Sequence, residues 1–132
     1  MKLTTLLLPA FALSGLTSAL TDQQICQKRN QNVPAAIEAF CNYSDIVVPS
    51  SYAFEGAYVG LGGPHSTTVH ITGTCNPGQW VPHQYCLSQF YSMCAQGNGV
   101  GNMDVRLYGR NNCQHWHILV GEEGSKVGCK DC

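Results

Sequence analysis

The chain has 132 residues, with eight Asp and Glu against seven Lys and Arg. Only 11% of residues are charged, and the basic ones after the leader (Lys28, Arg29, Arg106, Arg110, Lys126 and Lys130) are scattered, which excludes a basic stripe for holding a nucleic-acid backbone. The length suits one domain, and the abundant Gly, Asn, Gln, Ser and Thr make a neutral polar surface suited to hydrogen bonding with neutral ligands.

Residues 1–19 read as a removable secretory signal. Lys2 supplies the positive start, Leu3 to Leu16 is mostly apolar, and Thr17-Ser18-Ala19 offers small residues for cleavage. Pro9, Ser14 and Gly15 interrupt the apolar run, which falls short of the roughly 20 residues a spanning helix needs, so no membrane span is expected. Residues 20–132 are then expected to form a single secreted, extracellular domain.

Eight cysteines follow the expected cleavage site: Cys26, Cys41, Cys75, Cys86, Cys94, Cys113, Cys129 and Cys132. An even number in a short exported chain implies a disulfide framework, although spacing does not choose the pairing. Cys129 and Cys132 have redox spacing, but they follow a Gly-rich segment at the end of the sequence, where no helix start is expected. Asn42-Tyr43-Ser44 is an acceptor pattern for N-glycosylation at Asn42.

Asp22 to Gln31 is predicted as a helix capped by Thr21 or Asp22. Pro34 to Cys41 is predicted as a second, with Asn32 the nearest capping side chain and Ile37, Phe40 and Cys41 as its buried stripe. Asp45 to Ser51 reads as loop. Tyr52 to Leu61 and Ser66 to Cys75 read as the strands of a hairpin, the second alternating Val69, Ile71 and Cys75 against Thr68, His70, Thr72 and Thr74. Asn76-Pro77-Gly78 is a turn.

Pro82 to Ala95 is predicted as a helix with Cys86, Leu87, Phe90, Tyr91 and Cys94 on one face. Cys86 and Cys94 are two turns apart, about 12 Å at the rise of a helix, so they cannot bridge each other and must staple the helix to other elements. The glycines of 97–101 lack the spacing of a dinucleotide or phosphate loop. Asn102 to Tyr108 and Cys113 to Val120 read as a second hairpin, the first strand alternating Met103, Val105 and Leu107 against Asp104, Arg106 and Tyr108. The element order predicts an α+β fold: an antiparallel sheet of two hairpins with helices packed on its faces, stapled by disulfides.

Three chemistries compete. His115 and His117 share one strand face and, with His70, have the donors of a zinc or copper site; the favoured reading is hydrogen-bonded sheet histidines beneath a helix, and no metal or cofactor is expected. Glu55, His70, His115 and Arg106 supply the residue types of a small secreted ribonuclease, but their spacing adds no specificity. No Gly-x-Ser-x-Gly elbow is present, and a glycosidase pair among Glu38, Asp45, Glu55, Asp104, Glu122 and Glu123 has no distinguishing pattern. Carbohydrate binding needs only amides and carboxylates for the hydroxyls and aromatic faces for the apolar side of the ring. Such residues cluster in Asn98, Asn102, Asp104, Tyr108, Asn111, Asn112, Gln114 and Trp116, and again around Asn76, Gln79 and Trp80. The candidate glycan-binding residues are Asn102, Asp104, Tyr108, Asn112, Gln114 and Trp116. Trp116→Ala or Asp104→Ala is expected to remove binding and spare the fold.

The start bearing Cys26 and Cys41, the SYAFEGAYVGLGG segment, the HITGTCNPGQWVPHQYCLSQFYSMCA block and the RNNCQHWHILV strand together resemble a family of small secreted mushroom proteins, the Y-three-like glycan-binding proteins. The resemblance spans nearly all of residues 20–132. It implies a non-enzymatic lectin for glycans or glycoproteins bearing N-acetylhexosamine, a helix–sheet–helix (α/β/α) sandwich, and homodimers formed through sheet edges. A cysteine-rich fungal effector or toxin-like protein is the competing expectation.

Overall fold

The computed structural model describes residues 19–121. Residues 1–18 of the expected signal, and Glu122, Glu123, Lys126, Cys129, Lys130 and Cys132, lie outside the described residues.

The chain opens with α1 (Asp22–Arg29), started by a reciprocal box in which Gln24 N donates to Thr21 Oγ1 and Thr21 N to Gln24 Oε1. Helix α2 (Asn32–Cys41) buries Val33, Ala36, Ile37, Phe40 and Cys41. Asn32 does not cap it. The Asn32 amide donates instead to His65 O at 2.9 Å, and Asn30 Nδ2 joins it there at 3.1 Å. These two amides tie the α1–α2 corner to a distant loop, a use no local pattern announces.

The segment expected as loop contains a short strand, β1 (Val47–Val48), and the aromatic run expected as strand begins as a helix, α3 (Ser51–Glu55). Ser50 Oγ accepts from Ala53 N, and Tyr52 stacks on Phe40 at 5.4 Å while its hydroxyl donates to Phe40 O. A cap and a tertiary aromatic contact thus override strand propensity. Gly56 ends α3 at φ 71°, and a Cβ there would lie 2.0 Å from Val69 O, so only glycine fits.

Four strands form the main sheet: β2 (Ala57–Val59), β3 (Thr67–Gly73), β5 (Met103–Tyr108) and β6 (Gln114–Val120), in the order β2-β3-β6-β5, all antiparallel. The two hairpins join through β3 and β6, with Val69 opposite Ile118 and Ile71 opposite Trp116. A further short strand, β4 (Gln79–Trp80), pairs with β1 in a separate two-stranded sheet. Helix α4 (His83–Gln96) packs on β5 and β6, α2 packs on β2 and β3, and α1 packs on both helices. The core lies between, with Phe90 edge-on to Phe40 and 4.6 Å from Trp116. This is the α+β sheet of two hairpins with packed helices that the element order predicts.

The expected alternation in β5 is interrupted. A register shift between Met103 and Arg106 sets Met103 opposite Ile118 and Arg106 opposite Trp116. Val105 and Leu107 are left about half exposed rather than following Met103.

Among the described residues, three disulfides staple the layers: Cys26–Cys94, Cys41–Cys86 and Cys75–Cys113. The first two hold α4 to α1 and α2, as the helical spacing of Cys86 and Cys94 requires. Their sequence separations are 68, 45 and 38 residues, so loop closure alone makes each worth roughly 4 kcal/mol. Arg29 reinforces the first by donating to Gly97 O and Asn98 O beyond the end of α4.

Candidate functional site

The β5–β6 turn is a tightly specified piece of backbone. Gly109 has φ 79°, and Asn111 and Asn112 are left-handed at 55° and 57°. Asparagine tolerates that region better than other side chains. A Cβ on Gly109 would lie 2.6 Å from Gln79 Oε1. Cys113 follows at once and is bonded to Cys75.

A chain of amides ties this turn to the core. Trp116 Nε1 donates to Gln114 Oε1 at 2.9 Å, Gln114 Nε2 donates to Gln79 Oε1 at 3.1 Å, and Arg110 N donates to the same oxygen at 3.1 Å. Gln79 is thereby the link between β4, β6 and the turn. Its carbonyl accepts both bonds, while among the described residues its NH2 group has no hydrogen-bond partner.

Beside this network lies an open cleft of about 490 Å³, within the range of ligand pockets. Trp80 and Tyr85 form its rim, 61% and 51% exposed, Gln89 adds a second amide, and Trp116 and Tyr108 lie at its base. Trp80 is not loose: its indole N–H donates to Ser44 O at 2.9 Å, which fixes the ring while leaving its face in solvent. Pro82 and Tyr85 bring the N-terminal end of α4 to the same cleft. A second hollow of about 360 Å³ shares Gln79 and Arg110 with the first and is lined further by Asn76 and Asn111. Among the described residues, no Asp or Glu lines either one.

The predicted glycan-binding residues divide. Tyr108, Gln114 and Trp116 line the cleft, but as its base: Gln114 is 6% and Trp116 1% exposed. Trp116 packs between Phe90 and Tyr108, so the expectation that Trp116→Ala spares the fold is overturned by its burial. Asn112 is exposed in the turn next to Asn111. Asn102 and Asp104 sit at the other end of β5. There Asn102 Nδ2 donates to Asp104 Oδ1 and Asn102 Oδ1 accepts from Val120 N, so they bind one another and the sheet. The second sequence cluster, Asn76, Gln79 and Trp80, folds against the first. Tyr85, Gln89 and Arg110 were not legible as site residues. The available signal was Tyr85 and Gln89, four apart on α4 and off its apolar stripe.

The histidines lie elsewhere. His70 is opposite His117 and Thr72 opposite His115, on the sheet face away from Trp116. The His70 and His117 rings stack at 4.5 Å, and His117 is held by Thr72 Oγ1 and Asp104 O. Parallel stacked rings do not converge their nitrogens on one point. Among the described residues, no group of three His, Cys, Asp or Glu is placed to hold a metal. Burial, then the His117 charge, pushes the His70 imidazolium down to about 4, and burial also lowers His117. The ribonuclease set is not assembled. Arg106 donates to Gln96 at the end of α4 and lies opposite Trp116, whereas His70 and His115 belong to the other face.

Asn42 is exposed just past α2, where a glycan would meet no core contact. Among the described residues, no helix is long and apolar enough to cross a membrane. No protein-family model, curated protein or solved structure matches the chain.

Proposed function

We propose that this chain is a secreted, non-enzymatic carbohydrate-binding protein that takes glycans containing N-acetylhexosamine in the cleft beside Trp80. The supporting observation is the pairing of exposed aromatic rings, one of them held in place by a hydrogen bond, with amide donors that have no partner among the described residues. Trp80 and Tyr85 offer faces for the apolar side of a pyranose, and the Gln79 NH2 group and Gln89 offer hydrogen bonds to hydroxyls or an acetamido carbonyl. The Trp80 ring is held before a ligand arrives, so little of its conformational entropy is lost on binding. Three disulfides accord with export to an oxidising compartment. The main sheet ends on β2 and β5, whose outer N–H and C=O groups are the edges through which homodimers would pair.

The test is calorimetric titration with N-acetylglucosamine oligosaccharides. The wild type is expected to bind, and Trp80→Ala to weaken binding at least about tenfold with an unchanged melting temperature, since the ring is mostly exposed. Equal affinity in the variant would move the site away from this cleft. Absence of binding to any oligosaccharide would end the lectin reading.

A further inference from the structure

Of the three arginines in the sequence, two are committed to holding the fold. Arg29 donates to carbonyls beyond α4, and Arg106 donates to Gln96. Arg110 differs. Its backbone N–H is bound by Gln79, its carbonyl accepts from Cys113 N, and its guanidinium has no partner among the described residues. It stands where the two hollows meet, in walls that contain no Asp or Glu among the described residues. The chain as a whole is slightly acidic, so a cation without a partner among the described residues is not a consequence of overall composition.

The backbone that presents Arg110 is also the most constrained on this surface. Gly109, Asn111 and Asn112 all have positive φ, and the turn is clamped by the Cys75–Cys113 bridge and the Gln79 acceptor. Backbone held in sparsely populated regions by its surroundings is a feature of ligand sites. An arginine fork pairs with carboxylate or sulfate oxygens in a fixed geometry, and charged hydrogen bonds of this kind are about twice as strong as neutral ones.

We infer that the groove selects acidic glycans: an N-acetylhexosamine sits against Trp80 and Tyr85, and a carboxylate or sulfate on the same residue or its neighbour reaches Arg110. This rests on the lectin reading above and adds the charge class of its ligand. The second hollow, with Asn76 and Asn111, gives the length a further sugar needs.

Three oligosaccharides of equal length separate the possibilities in a calorimetric titration at low salt. One is a neutral N-acetylglucosamine trimer, one alternates N-acetylhexosamine with a uronic acid, and one carries a 6-sulfate. The wild type is expected to bind at least one acidic oligosaccharide about tenfold tighter than the neutral one, with the advantage shrinking at about 0.5 M salt. Which of the two is preferred assigns the anion as carboxylate or sulfate. Arg110→Gln should abolish the preference, bringing the affinity for the acidic oligosaccharides down to that for the neutral one, and melt as the wild type does. Equal affinity for all three in the wild type, or a preference that survives Arg110→Gln, overturns the inference and leaves the lectin reading standing. No binding to any of the three overturns both.

Discussion

Replacing Gln79 by alanine removes one oxygen that accepts two hydrogen bonds, from Gln114 Nε2 and from Arg110 N. The two losses are unequal. Gln114 is 6% exposed and its other amide atom is already bound to Trp116, so its NH2 group is left without a partner at a nearly dry site. That costs about 1–2 kcal/mol. Arg110 N belongs to an exposed turn and is rehydrated, costing about 0.5 kcal/mol. A total near 2 kcal/mol should lower the urea midpoint by roughly 1–2 M for a domain of this size. Unfolding with the disulfides intact, followed through the fluorescence of buried Trp116, is the assay. Gln79→Glu keeps the acceptor and should recover most of the stability. Because Gln79 and Gln114 share one bond, Gln79→Ala and Gln114→Ala should be non-additive by about 1 kcal/mol in a double-mutant cycle. A loss under about 0.5 kcal/mol, or strict additivity, would refute the view that this network is buried and rigid.

Two further outcomes follow from burial. Trp116→Ala should cost about 3–5 kcal/mol, measured by the same unfolding curve, because the ring fills the core between Phe90 and Tyr108; a variant as stable as the wild type would contradict that packing. His70 has a folded value of about 4 against an ordinary 6.5, so between those pH values the unfolded chain binds more protons than the folded one. Its contribution is therefore complete above about pH 6.5 and is lost as the pH falls toward 4, by roughly 1–3 kcal/mol once partial hydration is allowed for. His70→Phe should flatten the stability profile across that window; an unchanged slope would show that His70 is not the group responsible.

Much of the fold was legible because its signals are local. The cap at Thr21, the apolar stripe of α4 and the alternation in β3 and β6 are each written within a few residues. The spacing of Cys86 and Cys94 went further and required α4 to be stapled outward, although the partners Cys41 and Cys26 could not be named. What misled was the aromatic run from Tyr52, whose strand propensity lost to the Ser50 cap and to the face of Phe40. The candidate site divides the same way. Amides and aromatics were visible as two clusters in the sequence. Only the tertiary structure could bring Gln79 and Trp80 from one against Gln114 from the other, sink Trp116 into the core, and leave the Arg110 guanidinium without a partner among the described residues where two hollows meet. Composition and periodicity determine which residues are sticky, polar or cross-linkable. Which of them meet depends on contacts between residues far apart in the chain, and no local pattern encodes those.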